Sequence, residues 1–365
     1  MKILCIGDAM IPGEDIVAAA RRLGSCEVVG CNWETDWQRL QSRRLSVEKR
    51  GPSVEEVPRP FIEHPDAAIA LGLFCPFSAD GMDAFQDLHL IGIARGGFEN
   101  LDVAAATQRG IIGVRVLGRN AEAVAEFTVG LMLSETRNIA RAHLAIKQGT
   151  WRKQFINSAS IPELKGKTVG VIGFGRIGRL VVRKLASFGV KLLVYDPSIK
   201  ADEVLGSNAE LVGMDRLVAE SDVISLHARL TETSRGLIGK AEFQRMKPTA
   251  YLINTARAGL VDMEALVQSL EKQQIAGAAL DVFDIEPLPA SHPLLALDNV
   301  TLTSHLAGTT REVVTRSPEL LLDEIKRLMD GQLPSSLVNP IVLKRPDVQD
   351  WLTRTRSSLT RGENR

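Results

Sequence analysis

The sequence predicts an α/β protein built from two doubly wound parallel sheets. The first observation is length: 365 residues, of which 45% are apolar and 24% charged, are enough for two globular domains. The second is the order of elements, because short apolar runs alternate with helical patterns in both halves of the chain. The third is a glycine-rich turn between an apolar run and a helix near the middle. Together they favour parallel sheets covered by helices in both domains.

The first half of the chain is predicted to be one unit of alternating strands and helices. The polar segment 32–63 is expected to form a helix followed by an irregular excursion. This unit has no glycine turn of its own, so it is not expected to hold a dinucleotide. Its strands are predicted at 2–7, 27–30, 67–74, 89–94 and 111–116, and its helices at 14–23, 82–87 and 102–108.

The second half begins with a helix predicted over 120–147, followed by an extended arm over 149–164. The helix is apolar over much of its circumference, which suits core packing, a crossover between domains or a subunit interface. The arginine-rich tail after Leu343 is predicted to be mobile unless Trp351 and Leu352 dock it. Six strands are predicted at 168–172, 192–195, 222–227, 250–255, 276–283 and 300–304, with helices that include 262–273 and 311–329.

The glycine-rich turn predicts a dinucleotide-binding, Rossmann-like unit. Gly173, Gly175 and Gly178 have the spacing G-x-G-x-x-G between a strand and a helix. The first allows the sharp turn, the second lets a pyrophosphate approach the backbone, and the third allows helix and strand to pack closely. The helix N-terminus offers N–H groups to the phosphates. Asp196 follows the next strand, where it can accept hydrogen bonds from a ribose diol and would repel a 2′-phosphate, so NAD is favoured over NADP.

Three polar side chains, Arg257, Glu286 and His305, each follow one of the last three predicted strands. Ligands of open parallel sheets lie at this carboxyl edge, so the three are expected to converge there. Arginine offers a fixed fork to a carboxylate or carbonyl, and histidine can give or take a proton near neutral pH. A nearby carboxylate would favour the imidazolium. His227 also ends a strand and is predicted either to line the ligand side or to support a loop.

Charge and cysteine content exclude several other classes. The chain has 44 Lys plus Arg and 44 Asp plus Glu, so no global field favours nucleic acid or a membrane surface. Cys5, Cys26, Cys31 and Cys75 lack metal-ligand spacing, so no metal is expected, and they are interpreted as reduced thiols of a cytoplasmic protein. Asp8 interrupts the first apolar run, which indicates a strand rather than a signal peptide. No stretch is long enough to span a membrane.

Several segments give a more specific prediction, because they resemble the D-isomer-specific 2-hydroxyacid dehydrogenases. They cover most of residues 90–310, at 94–111, 120–133, 166–178, 225–239, 252–262, 278–289 and 303–310. The resemblance implies a flavodoxin-like substrate domain made from 1–118 and 310–345, an NAD-binding Rossmann domain over 119–309 inserted between them, and a C-terminal tail over 346–365. It also implies an active site in the cleft between the domains and a homodimer that uses the long helix and the arm.

The resemblance also implies roles for individual residues. The family's catalytic Arg, Glu and His correspond to Arg257, Glu286 and His305, which implies hydride transfer between nicotinamide and a small D-2-hydroxyacid or 2-ketoacid. Substrate contacts are expected at Ser78, Arg95, Gly96, Gly97 and Arg257. Cofactor contacts are expected at Gly173, Gly175, Arg176, Ile177, Gly178, Asp196, His227, Ala228, Thr255, Ala256, Arg257, Asp281, His305 and Gly308.

Two departures from the family pattern concern the substrate. The loop 74–80 reads FCPFSAD and lacks the usual serine, arginine or threonine set, which suggests an unusual or bulkier substrate. The excursion 32–63 is expected to reshape the cleft mouth. Two alternatives stay open: a D-3-phosphoglycerate dehydrogenase, which would need more cations than this loop offers, and a non-enzymatic NAD(H)-sensing binding protein, which the three catalytic residues cannot exclude.

Overall fold

The computed structural model describes residues 1–362, with side chains up to Ser357, and the chain divides into two compact units. One unit contains Met1–Arg119 together with the chain from Thr310 onward, and the other contains Asn120–Thr309. Each unit has one sheet whose strand pairs are all parallel. The predicted α/β fold class with two doubly wound sheets is therefore confirmed.

The strands are short, and five of the twelve, β3, β4, β9, β10 and β11, are buried along their whole length. In chain order they are β1 (Lys2–Asp8), β2 (Glu27–Glu34), β3 (Ile69–Gly72), β4 (Leu90–Ile93), β5 (Ile112–Arg115), β6 (Thr168–Ile172), β7 (Lys191–Tyr195), β8 (Ala209–Leu211), β9 (Val223–Leu226), β10 (Tyr251–Asn254), β11 (Gly277–Leu280) and β12 (Val300–Leu302). Continuous apolar runs of this kind are typical of parallel strands covered on both faces.

Thirteen α-helices and seven 3₁₀ turns connect the strands within the described residues. The helices are α1 (Gly13–Ala20), α2 (Trp37–Arg50), α3 (Arg59–Glu63), α4 (Ala79–Asp83), α5 (Val103–Arg109), α6 (Ala121–Thr136), α7 (Ile139–Lys147), α8 (Arg176–Leu185), α9 (Met214–Glu220), α10 (Lys240–Arg245), α11 (Met263–Glu271), α12 (Arg311–Met329) and α13 (Pro346–Gly362). The 3₁₀ turns are Arg21–Leu23, Pro52–Val54, Ala186–Phe188, Ala201–Val204, Ala258–Leu260, Pro293–Ala296 and Pro340–Lys344. Not one of these helices combines the length and apolar character that a membrane span requires.

The sheet of the first unit has the order β2-β1-β3-β4-β5, which is that of flavodoxin-like proteins. The side chains of β1 alternate between two cores: Ile3 and Cys5 pack on one face, and Leu4 and Ile6 on the other. The order of strands reverses between β1 and β3. In open sheets of this kind, the crevice at such a reversal is where ligands bind.

The polar segment 32–63 is more regular than predicted. After β2, the Asp36 side chain accepts a hydrogen bond from the backbone N–H of Arg39 at 2.8 Å and so caps the first turn of α2. The helix ends at Gly51, whose φ of +84° suits glycine. A 3₁₀ turn and α3 follow, and Phe61 of α3 is fully buried against Phe77. The segment is therefore a packed helical insertion and not an irregular loop.

The C-terminal segment is docked through the side chains that the sequence singled out. Trp351 and Leu352 lie on α13 and are buried in the same core as Leu321 and Ile325 of α12. The Trp351 ring also stacks on His89, with 4.8 Å between ring centroids. Of the two alternatives predicted for this tail, the docked one is observed up to residue 362, and residues 363–365 lie outside the described part of the chain.

The sheet of the second unit has the order β12-β11-β10-β9-β6-β7-β8. It has seven strands, so the prediction of six was wrong by one edge strand, β8. That strand has only three residues, and none of them is fully buried, so it left no apolar run in the sequence. The strand order reverses between β6 and β9, as in dinucleotide-binding sheets.

The helix predicted over 120–147 is two helices, α6 and α7. Asn138 separates them with a φ of +57°, a left-handed conformation that asparagine tolerates better than most residues. Its side chain donates to Asn157 Oδ1 at 2.8 Å and accepts from Arg141 Nη1 at 2.7 Å. Arg141 also forms a buried ion pair with Glu135. The break thus lets a buried polar network replace one turn of the helix, which the apolar pattern alone could not indicate.

Candidate active site

The glycine turn after β6 is shaped by close backbone approaches. Gly173 has a φ of +94°, and a Cβ there would lie 2.5 Å from the backbone nitrogen of Ala228, just after β9. A Cβ at Gly178 would overlap the carbonyl oxygen of Gly173. At Gly175, in contrast, a Cβ would have no neighbour within 4 Å. Two glycines are therefore required by packing, and the third leaves the backbone open at the start of α8.

Asp196, directly after β7, is held as an ionised acceptor beside this turn. Its Oδ2 accepts from the backbone N–H of Phe174 at 2.8 Å, and its Oδ1 accepts from the N–H and hydroxyl of Ser198 at 2.9 and 2.6 Å. Partial burial opposes ionisation, but these hydrogen bonds outweigh it and lower the pKa of Asp196. A carboxylate has about four lone-pair sites, so one remains for a ligand hydroxyl.

The histidine and glutamate that follow the last two strands are in direct contact. His305 Nδ1 lies 2.9 Å from Glu286 Oε2, and Glu286 Oε1 accepts from the backbone N–H of Phe283 at 3.0 Å. Burial disfavours the charged carboxylate, but the hydrogen bonds from His305 and Phe283 and the charge of Arg257 together lower the pKa of Glu286. The His305 side chain is 50% exposed, so the ring is fixed on one side and open on the other.

Arg257 lies on the loop after β10, and its neighbours hold that loop in place. Asn254, at the end of the strand, donates to the backbone carbonyl of Arg257 at 2.9 Å and accepts from the backbone N–H of Ala256 at 3.0 Å. The Arg257 guanidinium donates to the carbonyl of Ala256 at 2.7 Å and is otherwise exposed. Asn254 was not predicted as a site residue, although its position at a strand end was the available signal.

The loop that carries His305 is held by Asp281, a residue predicted to contact the cofactor. Asp281 is fully buried, and its carboxylate accepts from the Thr303 hydroxyl at 2.6 Å and from the backbone N–H groups of Leu306 and Ala307 at 2.8 Å each. Three donors on one short loop explain how His305 can adopt a φ of +57°. The sequence did not reveal this positioning role.

His227 is half-buried, and its imidazole is neutral at neutral pH. Its Nε2 lies 2.8 Å from the Ser225 hydroxyl, while its Nδ1 is buried without a hydrogen-bond partner among the described residues. Burial lowers the pKa of His227 to about 3. Because it stays uncharged at neutral pH, this histidine is poorly suited to give up a proton there.

Four further positions expected to touch the cofactor are described by their surroundings in this unit. Thr255 is buried, with its hydroxyl 2.8 Å from that of Thr128. A Cβ at Gly308 would lie 2.6 Å from Asn120 Nδ2, so this glycine permits a close approach. Arg176 and Ile177 form the first turn of α8, with Arg176 exposed and Ile177 half-buried.

Four of the five residues predicted to bind substrate, all except Arg257, lie in the other unit, and they differ in availability. Ser78 is buried, and its hydroxyl accepts from the backbone N–H of Gly81 at 3.1 Å, which caps α4. This capping role is enough to explain a serine at position 78, with no need for a contact to the substrate. Arg95 follows β4 and forms ion pairs with Glu48 and Glu99 at 2.8 and 2.9 Å. Gly96 and Gly97 are half-buried on the same loop, and the Gly96 carbonyl accepts from Arg115 Nη1 at 2.9 Å.

The second unit has what a dinucleotide with free ribose hydroxyls requires. The backbone is open at Gly175, the N-terminus of a ten-residue helix faces the turn, and Asp196 keeps an acceptor. The orphaned Nδ1 of His227 is a further buried polar atom that lies after the strand next to β6. Among residues 1–362, no group of three His, Cys, Asp or Glu side chains is arranged to hold a metal ion.

Comparison with known proteins agrees with this geometry. Residues 129–307 match the family described as the D-isomer-specific 2-hydroxyacid dehydrogenase NAD-binding domain. A glyoxylate reductase of Thermofilum pendens is 44% identical over 298 residues, which cover 80% of this chain and 86% of that protein. A D-3-phosphoglycerate dehydrogenase of Archaeoglobus fulgidus is 37% identical over 302 residues, 82% of this chain and 56% of that protein.

A solved structure extends the agreement to the fold. The NAD⁺ complex of D-lactate dehydrogenase from Lactobacillus jensenii superposes with a TM-score of 0.68 at 26% identity, covering 93% of this chain and 99% of that one. The glycine turn, the acidic residue after the second strand and the seven-stranded sheet thus occur in a unit whose relatives bind NAD. The chain therefore belongs to the D-isomer-specific 2-hydroxyacid dehydrogenase family, and it is an NAD-dependent enzyme of that class.

Proposed function

We propose that the enzyme interconverts a 2-ketoacid and the corresponding D-2-hydroxyacid, with His305 as the acid and base. The observation that carries this proposal is the 2.9 Å contact between His305 Nδ1 and Glu286 Oε2 in the unit that binds NAD. When bound, NAD supplies or accepts the hydride. The protein must therefore manage one proton and orient one small anion, and it has a residue suited to each task.

The proton is managed at the exposed side of the His305 ring. An ionised Glu286 fixes Nδ1 as the protonated nitrogen, which leaves Nε2 to give a proton to the ketone oxygen during reduction and to take it back during oxidation. The contact with this carboxylate also holds the ring in one orientation while the proton is exchanged at Nε2. Glu286 therefore acts as a positioning residue, and Asp281 fixes the backbone of the His305 loop by accepting hydrogen bonds from two of its N–H groups.

Arg257 is the proposed anchor for the substrate's carboxylate and carbonyl group. Its guanidinium is exposed and carries its charge at any working pH, so it can form paired hydrogen bonds with the two oxygens. The hydrogen bonds of Asn254 to this loop hold the arginine backbone in place before substrate arrives. Such preorganisation is what converts binding into orientation of the reacting carbon.

We also propose a division of roles between the units. The unit Asn120–Thr309 binds the cofactor, and the unit made from the chain ends binds the substrate, with backbone N–H groups of Gly96 and Gly97 as donors to its carboxylate.

The four cysteines are free thiols, and burial raises the pKa of Cys5 to about 12 and of Cys31 to about 11. Unreactive free thiols of this kind support the proposal of a cytoplasmic enzyme.

The first test of the function is turnover. We expect NADH oxidation, followed by absorbance, with at least one member of a panel of glyoxylate, pyruvate, 2-oxobutyrate, hydroxypyruvate and phosphohydroxypyruvate. Because Asp196 is ionised and would repel a 2′-phosphate, NADH should be preferred to NADPH. Tight NADH binding with no turnover on any ketoacid would contradict the proposed reaction and favour the NAD(H)-sensing alternative.

We further propose that the enzyme is a homodimer formed through α7 and the arm after it. Leu144 and Ile146 on α7 and Trp151 at the start of the arm are large apolar side chains that are each more than half exposed. A cluster of this kind on a folded surface marks an interaction site more often than solvent contact. The family resemblance assigns the subunit contact to the same segment.

Leu144→Glu is expected to convert the dimer to a monomer, because it buries a carboxylate in an apolar contact. Leu205→Glu is the matched control, since Leu205 is 79% exposed in the same unit but lies far along the chain from the segment 139–151. Light scattering after size-exclusion chromatography gives the mass of each variant. A wild-type monomer, or a Leu144→Glu variant that stays dimeric at micromolar concentration, would contradict this interface.

A further inference from the structure

The crevice of the first unit is built around Phe74. In its sheet the strand order reverses between β1 and β3, and Asp8 ends the first of these strands while Phe74 follows the second. Asp8 Oδ2 accepts from the backbone N–H of Phe74 at 3.3 Å, and its Oδ1 accepts from the N–H groups of Met10 and Ile11 at 2.8 and 3.2 Å. The buried carboxylate thus fixes both loops at the point where open sheets bind ligands.

Two arginines from different elements lie against the Phe74 ring. The guanidinium carbon of Arg44, on α2, is 5.2 Å from the ring centroid, and that of Arg95, after β4, is 4.8 Å from it. Both distances are within the range of cation–π contacts. Packing against one aromatic ring restricts the motion of both guanidinium groups. Their N–H groups then point away from the ring.

A third arginine, Arg119, belongs to the same cluster. Burial, together with the positive charges of Arg95 and Arg44, lowers the pKa of Arg119 to about 10. It remains protonated at neutral pH, so three positive charges share this crevice. Its guanidinium donates to the Ser317 hydroxyl at 3.2 Å, and among the residues that the structure describes it forms no ion pair.

Glu48 and Glu99 pair with Arg95 and the charge of Asp8 acts on Arg119, but among the described residues no carboxylate hydrogen-bonds to Arg44 or Arg119. Glu48 and Glu99 contact Arg95 at 2.8 and 2.9 Å. Arg44 has only Glu48 at 3.8 Å, beyond hydrogen-bond distance, and its Nε is buried without a hydrogen-bond partner in the described part of the chain. A buried N–H group without an acceptor costs free energy of folding. Its presence indicates that the acceptor is a group that the folded chain alone does not supply.

We propose that Arg44 and Arg119 form a subsite for a second anionic group, a carboxylate or a phosphate, on the 2-ketoacid substrate. This inference rests on the proposed function, and it adds to that function a class of substrate: dianionic 2-ketoacids. Arginine suits the task because its planar fork pairs with both carboxylate and phosphate oxygens. Arg95, whose Nη2 is already paired with Glu48 and Glu99, contributes by packing against the Phe74 ring.

Arg44 reaches the loop 74–80 from a different element of the fold. That loop contains no cation, which suggested that a second anionic group could not be bound. The structure shows that the insertion which contains α2 brings a cation to the same loop from 30 residues earlier in the chain, and that residue 119 brings another from beyond β5. The cations of this crevice are therefore supplied by elements other than the loop 74–80.

The test compares substrates that differ in the second anion. Rates are measured for the wild-type enzyme, Arg44→Gln and Arg119→Gln with 2-oxobutyrate, 2-oxoglutarate and phosphohydroxypyruvate. We expect each substitution to lower the ratio of kcat/KM for a dianion to that for 2-oxobutyrate by about 10- to 100-fold, as for the loss of a charge-assisted hydrogen bond. Arg50→Gln, an exposed arginine at the end of the same helix, is the matched control and should leave the ratio within about twofold.

A binding measurement keeps the test valid if a variant is partly unfolded. The Tm of the full-length protein is measured with and without 2-oxoglutarate, and the ligand-induced rise should be lost in both arginine variants while Arg50→Gln keeps it. Which dianion is preferred identifies the anion as carboxylate or phosphate, and either outcome supports the subsite. Ratios that do not change in the arginine variants would overturn it, whereas no turnover on any ketoacid, 2-oxobutyrate included, would instead overturn the proposed function.

Discussion

His305→Gln is expected to lower kcat for 2-ketoacid reduction by about 10²- to 10⁴-fold, the usual range for loss of a positioned general acid. Glutamine fills a similar volume and can still hydrogen-bond to Glu286, but its amide does not titrate. The contact at 2.9 Å engages Nδ1 of the histidine ring and leaves Nε2 free to exchange a proton with the substrate. The loss should therefore fall on kcat rather than on cofactor affinity.

The control is the same substitution at a histidine outside the proposed active site. His143 is exposed on α7, so His143→Gln should keep kcat within about twofold of the wild-type value. NADH binding, followed by quenching of tryptophan fluorescence, should be the same in both variants. A His305→Gln enzyme that keeps more than a third of its kcat would mean that another group supplies the proton; His227 is a poor candidate because burial lowers its pKa to about 3.

The contact between Glu286 and His305 illustrates what the sequence could predict. Both residues follow strands of one parallel sheet, and the carboxyl ends of parallel strands meet at one edge whatever the details of packing. The glycine turn was predictable for a similar reason, since G-x-G-x-x-G with a strand before it and an acid after the next strand describes a local structure. Features set by strand order or by a short stretch of chain can be inferred without coordinates.

The features that the sequence did not reveal depend on tertiary contacts. Asp281 holds a loop 25 residues further along the chain through hydrogen bonds from that loop's backbone, so nothing in its own neighbourhood distinguishes it from an ordinary polar residue at a strand end. Arg44 and Arg119 are 75 residues apart and approach each other only because α2 folds over the first sheet. The break at Asn138 likewise involves Asn157, 19 residues further along the chain, whose side chain accepts a hydrogen bond from Asn138. Each case requires knowledge of which distant segments pack together.

Two glycine substitutions separate packing from cofactor binding in the turn after β6. Gly178→Ala places a methyl group against the carbonyl oxygen of Gly173, and backbone must shift to accommodate it. Such overpacking costs about 1–3 kcal/mol. For a protein of this size we expect a loss of about 2–12 °C in Tm, measured by circular dichroism. An unchanged Tm would mean that helix and strand are not in the close contact described.

Gly175→Ala should have the opposite profile. Its Cβ would meet no atom within 4 Å, and the residue has a φ of −73°, so alanine fits without strain and the Tm should change by only about 2 °C. The same methyl group would, however, occupy the surface that a pyrophosphate approaches, and we expect the Kd for NADH to rise by about tenfold or more, or about 1.4 kcal/mol. Titration of NADH fluorescence measures it. If the variant is as stable as expected and still binds NADH with the wild-type Kd, the phosphates do not lie at this turn, and the assignment of Gly175 as a cofactor contact fails while the Rossmann-like fold stands.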